Sequence, residues 1–304
     1  MVKQHRAGNT IRLSAEDKVF NAVIYTLATF FLLICAYPLI YVVSASISNP
    51  ELIVSGKIVL FPQEIQFRAY EAVLKSEDIL LGYRNTIFYA FAGTFINIVL
   101  TTIGAYVLSR PDLSGRTALT FLISFTMFFS GGMIPTFITI KGFGMLNTVW
   151  AMLLPGAISA TNLLIMRNYF QHSVPQEIIE AACVDGCSNV GTLCRIVIPI
   201  SGSIIAVMVI FYFVGHWNAY FDAMIYLNNK ELYPLQVFLR EILIQNQLGD
   251  MSGGVDTVGQ TEMTLLYEAL KFAVIVVATL PILCLYPFMQ RYFVKGVMVG
   301  SIKG

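Results

Sequence analysis

Charge is what this 304-residue chain has least of: Asp, Glu, Lys and Arg make up 12% of it, apolar residues 57%, and the mean hydropathy is +0.72. The scarcity is uneven, because no Asp, Glu, Lys or Arg occurs in 19–50, 85–109, 117–140, 142–166, 196–221 or 272–290. A soluble enzyme with several buried helices would need six such stretches by accident. Histidine is nearly as rare. His5, His172 and His216 are dispersed and the acids lie between the apolar runs, which argues against an integral membrane enzyme with a clustered site. Of five cysteines, Cys35 and Cys284 fall in apolar runs, and Cys183, Cys187 and Cys194 match no usual zinc spacing, so neither metal nor cofactor is expected. The phosphate-cradling pattern GxxxxGK[ST] is absent; Ser55-Gly56-Lys57 is only a fragment of it. A net charge of +1 offers no electrostatic case for nucleic acid, and none is expected as a partner.

What is present is length. Each uncharged stretch reaches the ~20 residues that cross a ~30 Å hydrocarbon core. The expected architecture is therefore all-α and integral to the lipid bilayer, a single transmembrane domain over 1–304 with six transmembrane helices at about 19–47, 85–109, 117–140, 146–166, 196–222 and 269–290. The first run is about twice as long as the apolar part of a signal peptide and no small-residue cleavage pattern closes it, so it reads as a retained helix. Lys3, Arg6, Arg12 and Lys18 precede it, Arg110 and Arg116 sit in the 109–116 turn, and Arg291, Lys295 and Lys303 lie in the 291–304 tail. If six helices alternate, these share one side, which the positive-inside rule makes the cytosol. Both termini and the segment 167–195 are then cytosolic.

Outside the membrane, FPQEIQFRAYEAVL suggests a short amphipathic helix. In LYPLQVFLREILIQNQ, Leu235, Phe238, Leu239, Ile242 and Leu243 fall at helical spacing behind Pro234, predicting a helix along the outer face, followed by a flexible GDMSGGVDTVGQ loop. FFSGGMIP places Ser130, Gly131, Gly132 and Pro135 near mid-membrane. Such residues either loosen the backbone beside a path or let helices pack closely.

The segment EIIEAACVDGCSNVGTLCRIVIPIS is too polar for its surroundings. Ser173 and Gln176 have capping-box spacing, Pro175 suits a first turn, and Val174, Ile178, Ala181 and Ala182 share a face. Gly186 follows Asp185 where the chain must reverse, Ser188 can cap a second short helix carrying Val190, Leu193, Cys194 and Val197, and Pro199 leads into the next span. Two helices this short gain stability only by packing on something. That surface is either their own bundle or a cytosolic partner.

The run Glu180-Ala181-Ala182, then Gly186, Ile196, Ile198 and Pro199, resembles the EAA signature of membrane subunits of binding-protein-dependent ABC importers; the one departure is Ile198, where leucine is usual. The end of the chain, LPILCLYPFMQRYFVKGVMVGSIKG, is similar to the tail of carbohydrate permeases of the maltose-permease type, nearest to a Gram-positive subgroup associated with complex oligosaccharides. The resemblance implies a type I importer permease that pairs with a second, homologous permease as a heterodimer. It also implies two cytosolic ATP-binding subunits, an extracellular solute-binding protein and a carbohydrate substrate. Glu180, Ala181, Ala182, Asp185, Gly186 and Pro199 would form the coupling element seated on an ATPase, and the tail from Gln290 would touch the same pair. No catalytic residue is expected. For the translocation path the polar and aromatic candidates are Asn97, Ser130, His216, Trp217, Asn218 and Tyr220, with Asn162 as a further one. An ion-coupled secondary carrier of small polar solutes is the alternative, but it calls for a buried carboxylate near the midplane, and the uncharged stretches supply none.

Overall fold

The computed structural model describes residues 14–251 and 258–301, with side chains described for 14–244, 265–285, 287 and 290. The expected tail residues 1–13 and 302–304, and 252–257 of the GDMSGGVDTVGQ loop, lie outside the described residues, while 249–251 and 258–260, expected in that loop, belong to the flanking helices. Among those described every regular element is helical. The chain falls into two compact units, one formed by Met1–Ala69 with Thr257–Ala273, the other by Tyr70–Asp256 with Val274–Gly304, where the sequence reading has one domain.

In the first unit, α1 (Ala15–Ser46) is an apolar rod whose side chains are almost all exposed until Ser44, as a helix facing lipid must be. Its end is stitched to the following loop by hydroxyls: Ser44 Oγ donates to Leu60 O at 2.6 Å, and Ser48 Oγ accepts from Gln63 N at 3.1 Å. Asn49 caps the short α2 (Pro50–Val54) through Glu51 N. The expected amphipathic helix is α3 (Arg68–Lys75), which buries Ala69 and Val73 and pairs Glu71 with Lys75 on its exposed side.

The second unit is built around α4 (Glu77–Ser109), which starts eight residues before the expected span because Ser76 caps it at Ile79 N. Its buried face carries small and polar side chains, Gly82, Asn85, Thr86, Gly93, Asn97 and Thr101 among them. The third expected helix is broken into α5 (Arg116–Phe128) and α6 (Met133–Gly142), which meet at 114°. Gly132, at φ +83° and ψ 177°, makes the corner, in a backbone region that is essentially reserved for glycine. Among the described residues a Cβ added at Gly131 would meet only Pro135, at 3.7 Å, and one at Gly132 nothing within 4 Å.

The fourth expected helix, 146–166, is not continuous. It consists of α7 (Trp150–Leu153), an irregular stretch at 154–159 containing Pro155 and Gly156, and α8 (Ala160–Ser173). Then come α9 (Gln176–Val184), α10 (Asn189–Thr192), a π-helical turn at Leu193–Val197 and α11 (Ile198–Ile200). The fifth expected span, 196–222, is broken at Ser201, where α12 (Gly202–Trp217) meets the helical segment Asn189–Ile200 at 86°, and α13 (Phe221–Tyr226) follows after the 218–220 break. α14 (Leu235–Met251) follows, and α15 (Val258–Ser301) includes the last expected span and continues into the tail. Among the described residues three helices are long and apolar enough to cross a membrane, or up to five if each bent pair is one span.

α14 does more than lie on a surface. Thr86 Oγ1 accepts from Leu235 N at 2.8 Å, Asn85 Nδ2 donates to Glu231 O at 2.7 Å and Tyr233 O at 3.0 Å, and Tyr89 OH donates to Leu232 O at 2.8 Å. The Leu235 N–H that the helix start leaves orphaned, and three carbonyls of the turn before it, are thus met by side chains of α4. Gly82 allows the approach, since a Cβ there would stand 2.8 Å from the Phe238 ring and 2.9 Å from Leu235 Cα.

Candidate functional site

The segment between α8 and α12 folds as the hairpin its caps predict, with one change. Ser173 does not cap α9; it is the last residue of α8. Proline disfavours helical backbone in the residue before it, so Val174 is extended and Pro175 starts the next helix. α9 closes in a Schellman arrangement: Cys187 N–H donates to Ala182 O at 2.9 Å and Gly186 N–H to Cys183 O at 3.1 Å, with Gly186 at φ +74°. Ser188 Oγ accepts from Gly191 N at 3.1 Å, as expected. Pro199 offers no N–H to the turn before it, and the ladder widens there to the π form, Ile198 N–H reaching Leu193 O.

Val174, Ile179, Leu193 and Val197 are buried in a core with Tyr106, Leu108 and Phe170, and Ala182 is buried as well. The inward face is thus Val174, Ile179 and Ala182 rather than the expected Val174, Ile178, Ala181 and Ala182, because the chain resets at Val174–Pro175 and α9 begins a new helical phase. Glu180, Ala181, Asp185, Gly186 and Pro199 are exposed, and so are two large apolar side chains, Val184 at 88% and Val190 at 71%. The hairpin therefore has both a docked face and a bare one. Arg167 Nε donates to Leu108 O at 3.2 Å, capping α4 beside it, and Arg110 pairs with Asp112 in the neighbouring turn at 2.9 Å. That hydrogen bond holds the Asp112 carboxyl below the usual carboxylate range.

A second cluster lies further along α4. Asn97 is fully buried and its Nδ2 donates to Gly156 O at 2.9 Å and Ala157 O at 2.8 Å. Both amide hydrogens are thereby spent on the broken span, which fixes the orientation of the side chain. Its Oδ1, 2.7 Å from His216 Nε2, then accepts, so His216 carries its proton on Nε2. The imidazole lies directly on Gly93, where a Cβ would stand 2.3 Å from Nε2. One turn further, Tyr212 OH is 2.7 Å from Thr101 Oγ1 and accepts from Ser159 N at 3.3 Å. Irregular backbone at membrane depth survives only where protein supplies partners, and α4 and α12 supply them here.

The other path candidates are separate from this cluster. Trp217 is buried and donates Nε1–H to Ala278 O at 3.0 Å. Ser130 is exposed at the 129–132 corner, Asn218 is exposed with Nδ2 on Val214 O at 3.0 Å, and Tyr220 is 42% exposed beneath the Arg240 guanidinium, 5.5 Å from the ring centroid. Asn162 lies in the first turn of α8, its N–H on Ser159 Oγ. Sequence reasoning missed Gly93, Thr101, Tyr212 and Arg240. The spacing Gly93-Asn97-Thr101 was the available signal, small and polar positions every four residues on one face of an apolar helix.

An all-helical, multi-pass membrane protein with broken inner helices and a compact, half-docked hairpin is the class these features define. No family model matches the chain. It is 41% identical to the polygalacturonan/rhamnogalacturonan transport system permease protein YtcP of Bacillus subtilis (strain 168) over 95% of this chain and 100% of that protein. It is 39% identical to protein LplC of the same organism over 88% and 89%. Among solved structures it superimposes with a TM-score of 0.83 and 34% identity, over 93% of this chain and 100% of the other, on a chain of a bacterial ABC transporter involved in the import of the acidic polysaccharide alginate. At this identity and coverage the chain belongs to the permease subunits of carbohydrate ABC importers. It is a multi-pass protein of the bacterial cell membrane and a transport subunit, not a catalyst; importers of this kind work with ATPase and binding-protein partners.

Proposed function

We propose that this chain is one half of a permease heterodimer that imports an acidic oligosaccharide, handed over by an extracellular binding protein and driven by two cytosolic ATPases. Polygalacturonan is a polymer of a uronic acid, and alginate is named as acidic, so the relatives at 34% identity or more with a named substrate share a carboxylated sugar. Six spans with both termini in the cytosol fit the basic residues of the sequence. The fourth span would then cross as α7, the 154–159 break and α8, with Asn97 satisfying the interruption.

The observation that carries the mechanical part is the hairpin's two faces. Ala182 and Ile179 lock it to its own bundle, while Glu180, Ala181, Asp185 and Val184 are left bare on a short, rigidly closed helix. An ATPase seated on the bare face would push on α9, and the push would pass into the core formed with α4, α8 and α12. ATP energy enters as displacement, with no covalent chemistry in this chain. Ser130, Asn218 and Tyr220, exposed at the helix breaks, are the residues we assign to the path; Asn97, His216 and Trp217 hold the breaks in place.

Affinity purification of the chain from its native membrane in mild detergent, with mass spectrometry of what remains bound, is the direct test. A second permease and an ATPase are expected. A chain that emerges alone, and whose Cys183 and Cys187 crosslink to no ATPase, would make the coupling role untenable.

A further inference from the structure

The geometry points to a uronate-recognising subsite made by Arg240, Tyr220 and Asn218, an inference that rests on the acidic-sugar reading above. Arg240 is on α14, just beyond the buried stretch Leu235, Val237, Phe238 and Leu239 that fixes that helix to α4. Its guanidinium lies over the Tyr220 ring, with Nη1 on Met224 Sδ. A thioether is a weak acceptor, and among the described residues no carboxylate pairs with Arg240, although Asp222 stands two residues from Tyr220. Among the described residues the half-buried Arg110 and Lys271 pair with acids, and Arg116 and Arg167 donate to backbone carbonyls, whereas the partner described for the Arg240 donors is a thioether.

A half-buried arginine held by an aromatic ring has lost motional freedom but keeps a fork of N–H donors, and a planar carboxylate matches that fork in bidentate fashion. Tyr220, exposed beneath the guanidinium, and Asn218, exposed two residues earlier on the same break, fit the rest of a sugar acid. Tyr220 offers ring surface to a pyranose face, and Asn218, whose Nδ2 is committed to Val214 O, presents Oδ1 as an acceptor for a hydroxyl. Asn218 and Tyr220 sit at the 218–220 break between α12 and α13, where the backbone turns out of helical phase, and the Arg240 guanidinium reaches Tyr220 from α14. The subsite would select for charge, which neither Asn218 nor Tyr220 can do alone.

The test uses the assembled importer with its binding protein in proteoliposomes, and reads uptake of trigalacturonate against its neutral methyl ester. Because the binding protein is the same throughout, a change in the acid-to-ester ratio belongs to the permease. Arg240→Gln is expected to lower that ratio about tenfold or more, the usual weight of charged hydrogen bonds. Arg240→Lys, which keeps the charge and loses the fork, should fall between; it also serves as the reading if the glutamine variant fails to assemble. Tyr220→Ala should reduce acid and ester alike. An unchanged ratio in the arginine variants, the result expected of an arginine that merely anchors to lipid phosphate, overturns the subsite and leaves the acidic-sugar reading standing. Wild-type importer that carries neither compound overturns that reading, and the subsite with it.

Discussion

His216 donates to Asn97 across 2.7 Å while its ring rests on the backbone of Gly93, four residues before Asn97 on the same helix. One imidazole thus reads two positions of α4 at once, a hydrogen-bond acceptor and an empty space. Asn97→Ala removes the donors to Gly156 O and Ala157 O and leaves two carbonyls of the broken span without their donor. Each orphaned group costs about 1–3 kcal/mol, so the variant should melt well below the wild type in detergent. A wild-type melting temperature would show that the break is satisfied some other way.

The Gly93 contact makes a non-additive prediction. Gly93→Ala drives a methyl into the imidazole and should destabilise by about 1–3 kcal/mol, as overpacking does. In a His216→Ala background the space is vacant and the same substitution should cost little. Equal costs in both backgrounds, measured by thermal melting of the four proteins, would mean that the ring is free to move aside.

At the hairpin, backbone conformation and burial separate. A Cβ on Gly186 would meet nothing within 4 Å, so substitution there acts through its left-handed backbone alone. Asn, which tolerates that region, should retain most uptake in Gly186→Asn, whereas Gly186→Val should abolish it with insertion intact. Ala182→Lys also abolishes uptake, but through loss of the docked face, and should raise protease sensitivity of the 176–200 segment. Full uptake by both the valine and lysine variants would remove the hairpin from the coupling path.

The Arg110–Asp112 pair gives a pH signature. Asp112 is lowered in the folded protein, so its contribution is fully present above the ordinary carboxylate value and is lost as pH falls through the lower folded value. The carboxylate is exposed, so the effect is small. Melting curves of Asp112→Asn and wild type should differ slightly at pH 6 and converge in acid; divergence toward low pH would reverse the assignment.

The hairpin was legible because its signals are local. Gly186, Ser188 and Pro199 each act on backbone within five residues, and a sequence displays such relations directly. The first, second and last spans were legible from uninterrupted apolar length. The breaks at 129–132, 154–159 and 218–220 were not. Glycine and proline mark where an apolar helix can interrupt, but whether it does depends on partners elsewhere, and the donor for 156 and 157 is 59 and 60 residues away. Ser173 misled for a related reason: capping-box spacing matched, yet Pro175 imposed a later start. The path residues were chosen as polar groups in apolar surroundings, and such a group serves equally as ligand contact or internal fastener; burial, which a sequence does not display, distinguishes Trp217 from Tyr220.

The carboxamide of Asn97 does for the 154–159 backbone what water does for a loop at a protein surface. It is solvent carried on a tether, and the tether has an order of synthesis. α4 leaves the ribosome before the interruption it serves, so the hydration is waiting when Gly156 and Ala157 reach the hydrocarbon, and a membrane-inserted fragment that begins after Ser109 would arrive dry.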